Sequence, residues 1–252
     1  GLVAAQSLSA ACRTVEARTA HSLHSYFLRE GNTSLPVIYH VDRIRDGRSF
    51  ATRRVVAKQH GEAIFNMSVS FQAAEEGLEH QALMPDAPPP ETVPTNYDRL
   101  QAYKQRSSHP AFDFLLQLDR PIERREVDHV DLLEPRAHAG IQRTWFRADG
   151  ELGDDPVLHQ AVLTYASDYG LLESSFNTHG ESFLTEKLII ASLDHAVWFH
   201  QPIRADRWML YVTQSPRTSG GRGLNFGHIY SEDGALLASV AQEGLMRIRK
   251  PQ

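Results

Sequence analysis

The sequence writes the same short pattern twice, and this repeat limits what the chain can fold into more than any other feature. His24-Ser25-Tyr26-Phe27 resembles His195-Ala196-Val197-Trp198-Phe199, Gly47-Arg48-Ser49-Phe50 resembles Gly221-Arg222-Gly223-Leu224, and Gly61-Glu62-Ala63-Ile64 resembles Gly234-Ala235-Leu236-Leu237. The separations are 171, 174 and 173 residues. Near-constant spacing over so long a span points to duplication of one structural unit.

Each copy reads as a helix followed by strands. Residues 2–17 are rich in Ala, Leu and Val, and alternating stretches with turn signals at Asp46-Gly47 and His60-Gly61 follow. In the second copy Asp155-Pro156 opens a helix with apolar positions at Leu158, Ala161, Val162, Tyr165 and Tyr169, and Gly170 can close it. Strands are expected over 187–199, 208–214, 223–230 and 235–247. The clearest strand is 65–72, where Phe65, Met67, Val69 and Phe71 alternate with Asn66, Ser68, Ser70 and Gln72, the signature of a half-buried antiparallel strand. Helix on one face of such strands makes an α+β fold. Five prolines within 85–94, then a polar helical stretch over 97–107, separate the copies. The expected division is therefore 1–85, a linker with a helix over 86–120, and 121–252.

Composition bears on partners. A net charge of −5 gives no broad attraction to nucleic acid or to an anionic membrane, so an anionic ligand must meet a local basic patch. The longest apolar runs, such as Leu188-Ile189-Ile190-Ala191, fall far short of the ~20 residues a membrane span needs. One cysteine, Cys12, cannot make an intrachain disulfide, which favours a cytoplasmic location over an oxidising one.

Two residues break local rules. Carrying the repeat across, Gln242 superposes on Val69, so an amide stands where the first copy has a core-facing valine; it shares its strand face with Ala238, Val240, Met246 and Ile248. An unpartnered amide there costs about 1–3 kcal/mol, so Gln242 needs either a local hydrogen-bond partner or a job. Asp168 falls on the apolar stripe of the second helix and near its C-terminus, where the helix dipole disfavours a carboxylate. It is either turned outward beside Gly170 or a partly desolvated general base. Ser192 is a weaker signal, a hydroxyl close to Asp194-His195. Arg53-Arg54 and Arg124-Arg125 read as solvated strand positions, and Gly220-Gly221-Arg222-Gly223 as a turn rather than a dinucleotide fingerprint. No Gly-x-Ser-x-Gly elbow and no His-Glu-x-x-His is present.

Several stretches together resemble the type II acyl-CoA thioesterases over essentially the whole chain: residues 2–8, 21–28, 45–50, Tyr165-Ala166-Ser167-Asp168, Leu193-Asp194-His195 with Trp198-Phe199-His200, and Gln242-Glu243-Gly244. The resemblance implies a double hotdog, two tandem units each with a helix wrapped by an antiparallel sheet. It also implies hydrolysis of acyl-CoA to fatty acid and coenzyme A without metal or cofactor, and homo-oligomers of the double unit. The family's aspartate, Thr/Ser and glutamine fall here on Asp168, Ser192 and Gln242, which would hold an attacking water. Serine stands in place of threonine, and the family's first strand would precede Gly1. Two alternatives stay open: a hotdog hydratase or dehydratase using Asp194-His195, though without the expected Gly-Asp-x-Asn-Pro-x-His pattern, and a non-catalytic acyl-CoA-binding protein.

Overall fold

A computed structural model describes residues 1–118, 121–138, 140–184 and 187–249; the last two positions of the expected linker lie outside the described residues. Helix α1 (Leu2–Cys12) is followed by β1 (Thr19–Phe27), β2 (Ile38–Asp46), β3 (Phe50–Gln59) and β4 (Glu62–Gln72). The connecting region carries α2 (Asn96–Arg106), α3 (Pro110–Gln117) and β5 (Ile122–Glu126). Then come β6 (Gln142–Ala148), α4 (Pro156–Ser167), α5 (Glu173–Asn177), β7 (Leu188–Ser192), β8 (Asp194–Phe199), β9 (Met209–Ser219), β10 (Arg222–Ser231) and β11 (Leu236–Ile248).

The alternation in β4 buries what it should: Phe65, Met67 and Val69 are fully enclosed. Helix α1 ends earlier than its composition suggests. Thr14 turns its hydroxyl onto the Ala11 carbonyl, the local competition that makes threonine a poor helix interior residue, and Ala17 then takes a positive φ of 53°. Helix α4 starts where expected, with the Asp155 side chain accepting from Val157 N and Pro156 in the first turn. Small side chains let the two helices lie close: Ala4, Leu8 and Ala11 of α1 share one core with Leu163 and Ala166 of α4 and the inward faces of the strands.

The strands form one sheet in the order β2-β3-β4-β1-β8-β11-β10-β9-β6-β5, with β7 also on β11. Antiparallel pairing of β1 with β8 joins the halves. Within each half the register repeats, irregularities included. In the first, Ala20 pairs with Phe71 and Leu23 with Val69, with a bulge between Ala20 and Ser22. In the second, Ser192 pairs with Gly244 and Ala196 with Ala241, which puts His195 beside Gln242, with the break at Leu193 between β7 and β8. Val69 pairs in turn with Arg53, and Gln242 with Asn225. The ladder therefore equates His195 with Leu23, one residue from the His24 match that the sequence repeat offers.

Two expectations about arginines fail. Arg53 is 2% exposed. Its guanidinium is saturated by Thr14 O and Oγ1, Arg45 O and Asp46 Oδ1, which is how the core accommodates it. Arg125 is not a free solvated group either: it pairs with Glu123 and lies over the Trp208 ring, 4.9 Å from its centre. Strand β5 has no apolar alternation because such ion pairs and cation–π contacts, rather than burial of aliphatic side chains, hold it to the sheet.

Candidate active site

Three elements meet at one amide. Gln242, in the middle of β11, is fully buried. Its Nε2 donates to Asp168 Oδ1 at 2.8 Å and to Ser192 Oγ at 2.7 Å. Of the three residues singled out in the sequence, Asp168 and Ser192 are thus each one hydrogen bond from Gln242. Asp168 comes from the C-cap of α4 and Ser192 from the last position of β7. The Gln242 side chain has the partners that its buried position demands.

Sequence reasoning left His195 out of this set. It is fully buried, its Nδ1 lies 3.3 Å from Gln242 Oε1, and its Nε2 is 2.9 Å from Ser167 Oγ. Donor counting fixes the arrangement. The Gln242 NH2 faces a carboxylate, so its oxygen faces the ring, and His195 Nδ1–H must donate to it. Nε2 is then an acceptor for Ser167 Oγ–H, a proton for which Thr164 O, 3.1 Å from the same oxygen, competes. Burial lowers the His195 pKa, which keeps the ring neutral and suits this tautomer. Ser192 Oγ accepts from Gln242, so its own proton is left to donate outward.

Burial alone would raise the Asp168 pKa. The hydrogen bond from Gln242 opposes this by favouring the charged form. Around it the scaffold is tightly fitted. Tyr211 Oη donates to Ser167 O at 2.9 Å, fixing the end of α4. A side chain at Gly227 would meet the Tyr211 ring at 2.3 Å. Gly244, opposite Ser192, likewise leaves room for Leu172, which a Cβ would approach to 2.4 Å. Asn225 Nδ2 donates to Gln242 O, and Asn225 Oδ1 accepts from Ser175 Oγ. The signal for Asn225 was present in the sequence: it shares a strand face with Gly227 and Ile229 and is polar there.

Asp168 opens into a groove of about 460 Å3 whose walls include Leu172, Phe176, Phe183, Leu188 and Ile190. An apolar trough ending at a carboxylate is suited to an acyl chain with its reactive carbonyl at one end. Asp194 and His195, by contrast, do not form a dyad. As strand neighbours they point to opposite faces, and Asp194 Oδ1 accepts from Glu243 N. Among the described residues no three His, Cys, Asp or Glu side chains group to hold a metal ion, and no helix is long and apolar enough to cross a membrane.

Comparison with known proteins gives the family. The acyl-CoA thioesterase family matches residues 114–245, and the acyl-CoA thioesterase N-terminal domain matches residues 1–72. Acyl-coenzyme A thioesterase 8 of Mus musculus is 40% identical over all of this chain and 80% of its own length. Acyl-CoA thioesterase 2 of Haemophilus influenzae is 37% identical over 98% of this chain and 86% of its own. The solved acyl-CoA thioesterase II of Mycobacterium marinum superposes with a TM-score of 0.81 at 45% identity, covering 98% of this chain and 88% of that one. A hotdog protein of Alicyclobacillus acidocaldarius shares the fold, with a TM-score of 0.76 at 21% identity over 98% of this chain and 86% of that one. The architecture is a double hotdog, and the chain belongs to the type II acyl-CoA thioesterase family.

Proposed function

We propose that the chain hydrolyses acyl-CoA esters to a free acid and coenzyme A with a water activated at Asp168, Ser192 and Gln242. A water lying between the carboxylate and the hydroxyl donates one proton to Asp168 and accepts from Ser192 Oγ–H. That leaves a lone pair directed at a thioester carbonyl in the groove. As its oxygen bonds to the carbonyl carbon, the proton passes to Asp168. Collapse of the tetrahedral intermediate breaks the C–S bond, and the proton returns from Asp168 to the sulfur. Gln242 touches both partners of the water and fixes their separation. His195 and Ser167 hold the Gln242 amide in the one orientation that presents its NH2 to the carboxylate.

The observation that carries this reading is the pair of hydrogen bonds from the Gln242 amide, which tie a carboxylate at the wall of a groove to a hydroxyl. Thiol release from acyl-CoA, followed with the intact protein and with Asp168→Asn, tests it. Asparagine keeps the shape and can still accept from Gln242 but takes up no proton, so kcat should fall by about 10²–10⁴ with the thermal midpoint little changed. Near-normal turnover by that variant would rule out Asp168 as the base. Ligand binding without any thiol release would instead favour an acyl-CoA-binding protein.

A further inference from the structure

Arg124 carries hydrogen-bond donors that nothing in the described residues uses. In β5 it alternates with Glu123 and Arg125, whose side chains meet Arg147 and Trp208 on one face of the sheet, so Arg124 turns to the other face with Ile122 and Glu126. Its side chain is only 16% exposed there. Arg53, the inward-facing arginine of the first half, spends its donors on Thr14, Arg45 and Asp46. Among the described residues Arg124 makes no hydrogen bond; its ion-pair partner is Glu173, whose Oε2 lies 3.9 Å from Nη2, too far to count as one. None of its nitrogens is both sealed in and unpaired, so these N–H groups face open space.

That space is a cavity of about 370 Å3 against α2, β5 and α5, and it shares Glu173, Phe176 and Phe183 with the groove that holds Asp168. The two spaces therefore adjoin. Arg124 stands close to the junction: a side chain at Gly170, two residues after Asp168, would come within 2.4 Å of Arg124 Nη2. The linings differ. Aliphatic and aromatic side chains make up most of the groove, whereas the cavity sets Gln142, Thr144 and Asn177 beside Arg124 and Glu173. From a thioester carbonyl at Asp168 two arms lead away. The groove suits the acyl chain, and the cavity suits the thiol arm of coenzyme A, in which amides alternate with short methylene stretches.

We propose that this cavity receives the pantetheine arm of the substrate and that Arg124 donates to the carbonyl of its first amide, the one nearest the sulfur. The inference rests on the thioesterase reading and adds to it the group recognised on the leaving side. Two methylenes separate that amide from the sulfur, which matches the closeness of Arg124 to the turn that carries Asp168. Glu173 holds the guanidinium in place without consuming its donors. An arm with no acceptor at this point would cover charged donors and leave them unpaired, which is the circumstance in which a site discriminates strongly.

The test is thiol release from octanoyl thioesters of coenzyme A, of N-acetylcysteamine, which keeps only the first amide, and of 1-pentanethiol, which has the same length with methylenes in the amide's place. The variants are Arg124→Met, which cannot donate, and Arg124→Gln, whose amide stops two bonds short of the guanidinium's end. Comparing each variant with the unsubstituted protein cancels the differences among the thiols as leaving groups. For the coenzyme A and N-acetylcysteamine esters kcat/KM should fall by about tenfold or more, mainly through KM, and for the pentanethiol ester it should stay within about twofold. Turnover of that last ester also shows that the variant is folded, and either variant suffices if the other is not. Losses equal for all the esters at an unchanged thermal midpoint, a loss confined to the coenzyme A ester, or no loss at all overturns the proposal while leaving the thioesterase reading standing. Absence of thiol release from every ester by the unsubstituted protein would overturn the thioesterase reading, and this inference with it.

Discussion

The two halves of the sheet have the same register and opposite contents at four corresponding positions. Where the second half has Ser192, His195, Gln242 and Asn225, the first has Ala20, Leu23, Val69 and Arg53. Three are apolar and buried, and the fourth is an arginine whose donors are consumed by Thr14, Arg45 and Asp46. No acceptor or donor is left over there to face a water. The duplicated framework therefore provides the positions without the chemistry, and substitutions at a few inward-facing sites separate a sealed core from a hydrogen-bonded relay. The second half bears the cost of that relay by satisfying every polar atom of Gln242.

This contrast can be broken from either side. After the substitutions at Asp168 and Gln242, the largest effect should come from Ser192→Ala, which copies Ala20. Losing the outward-directed hydroxyl should cost about 10² in kcat, with a normal thermal midpoint. Changes in the first half should act on stability alone. Val69→Ala removes fully buried methyl groups, and Arg53→Met takes the donor away from the Thr14 carbonyl, so each should cost about 1–3 kcal/mol in denaturant titration while kcat of the folded protein is unchanged. A large kcat loss from either would mean that the halves are chemically coupled. Gly227→Ala sharpens the picture because it forces Tyr211 away from Ser167 O. It should destabilise by about 1–3 kcal/mol and also lower kcat, since the end of α4 carries Asp168.

The smallest effect lies in pH. A general base works only while ionised, so kcat/KM should fall as pH drops through the Asp168 pKa. Asp168→Asn should remove that acid limb from whatever turnover remains. An acid limb that survives the substitution unchanged would contradict Asp168 as the base. Glu173, which lines the same groove, also titrates with the fold: burial pushes it up to about 7 against the pull of Arg124. A carboxyl raised in the folded state favours folding below its unfolded pKa, and that contribution fades as pH rises through 7. Glu173→Gln should thus raise the thermal midpoint at pH 8 and leave it nearly unchanged at pH 4.

Much of this site could be read from residue pattern. Gln242 announced itself by standing where Val69 is expected, and Asp168 by occupying an apolar helix stripe at an unfavourable helix end. Ser192 gained weight only through the family resemblance, because a hydroxyl at a strand end is ordinary. His195 was masked by the one-residue offset of the sequence repeat, which aligned it with the exposed His24; only the bulge at Leu193 puts it at the inward position of Leu23. The connecting region was the least legible. Strand β5 reads Ile-Glu-Arg-Arg-Glu with no apolar period, and its place in the sheet depends on partners remote in sequence, Trp208 and Arg147 among them.

The central claim is that the chemistry resides in what distinguishes the second half from the first, and the most direct measurement is kcat for thiol release by Gln242→Val, which installs the first half's own residue. With folding verified by its thermal midpoint, kcat should fall by about 10²–10⁴, because Asp168 and Ser192 lose the group that holds them together. Turnover within about threefold of the unsubstituted protein would contradict the account.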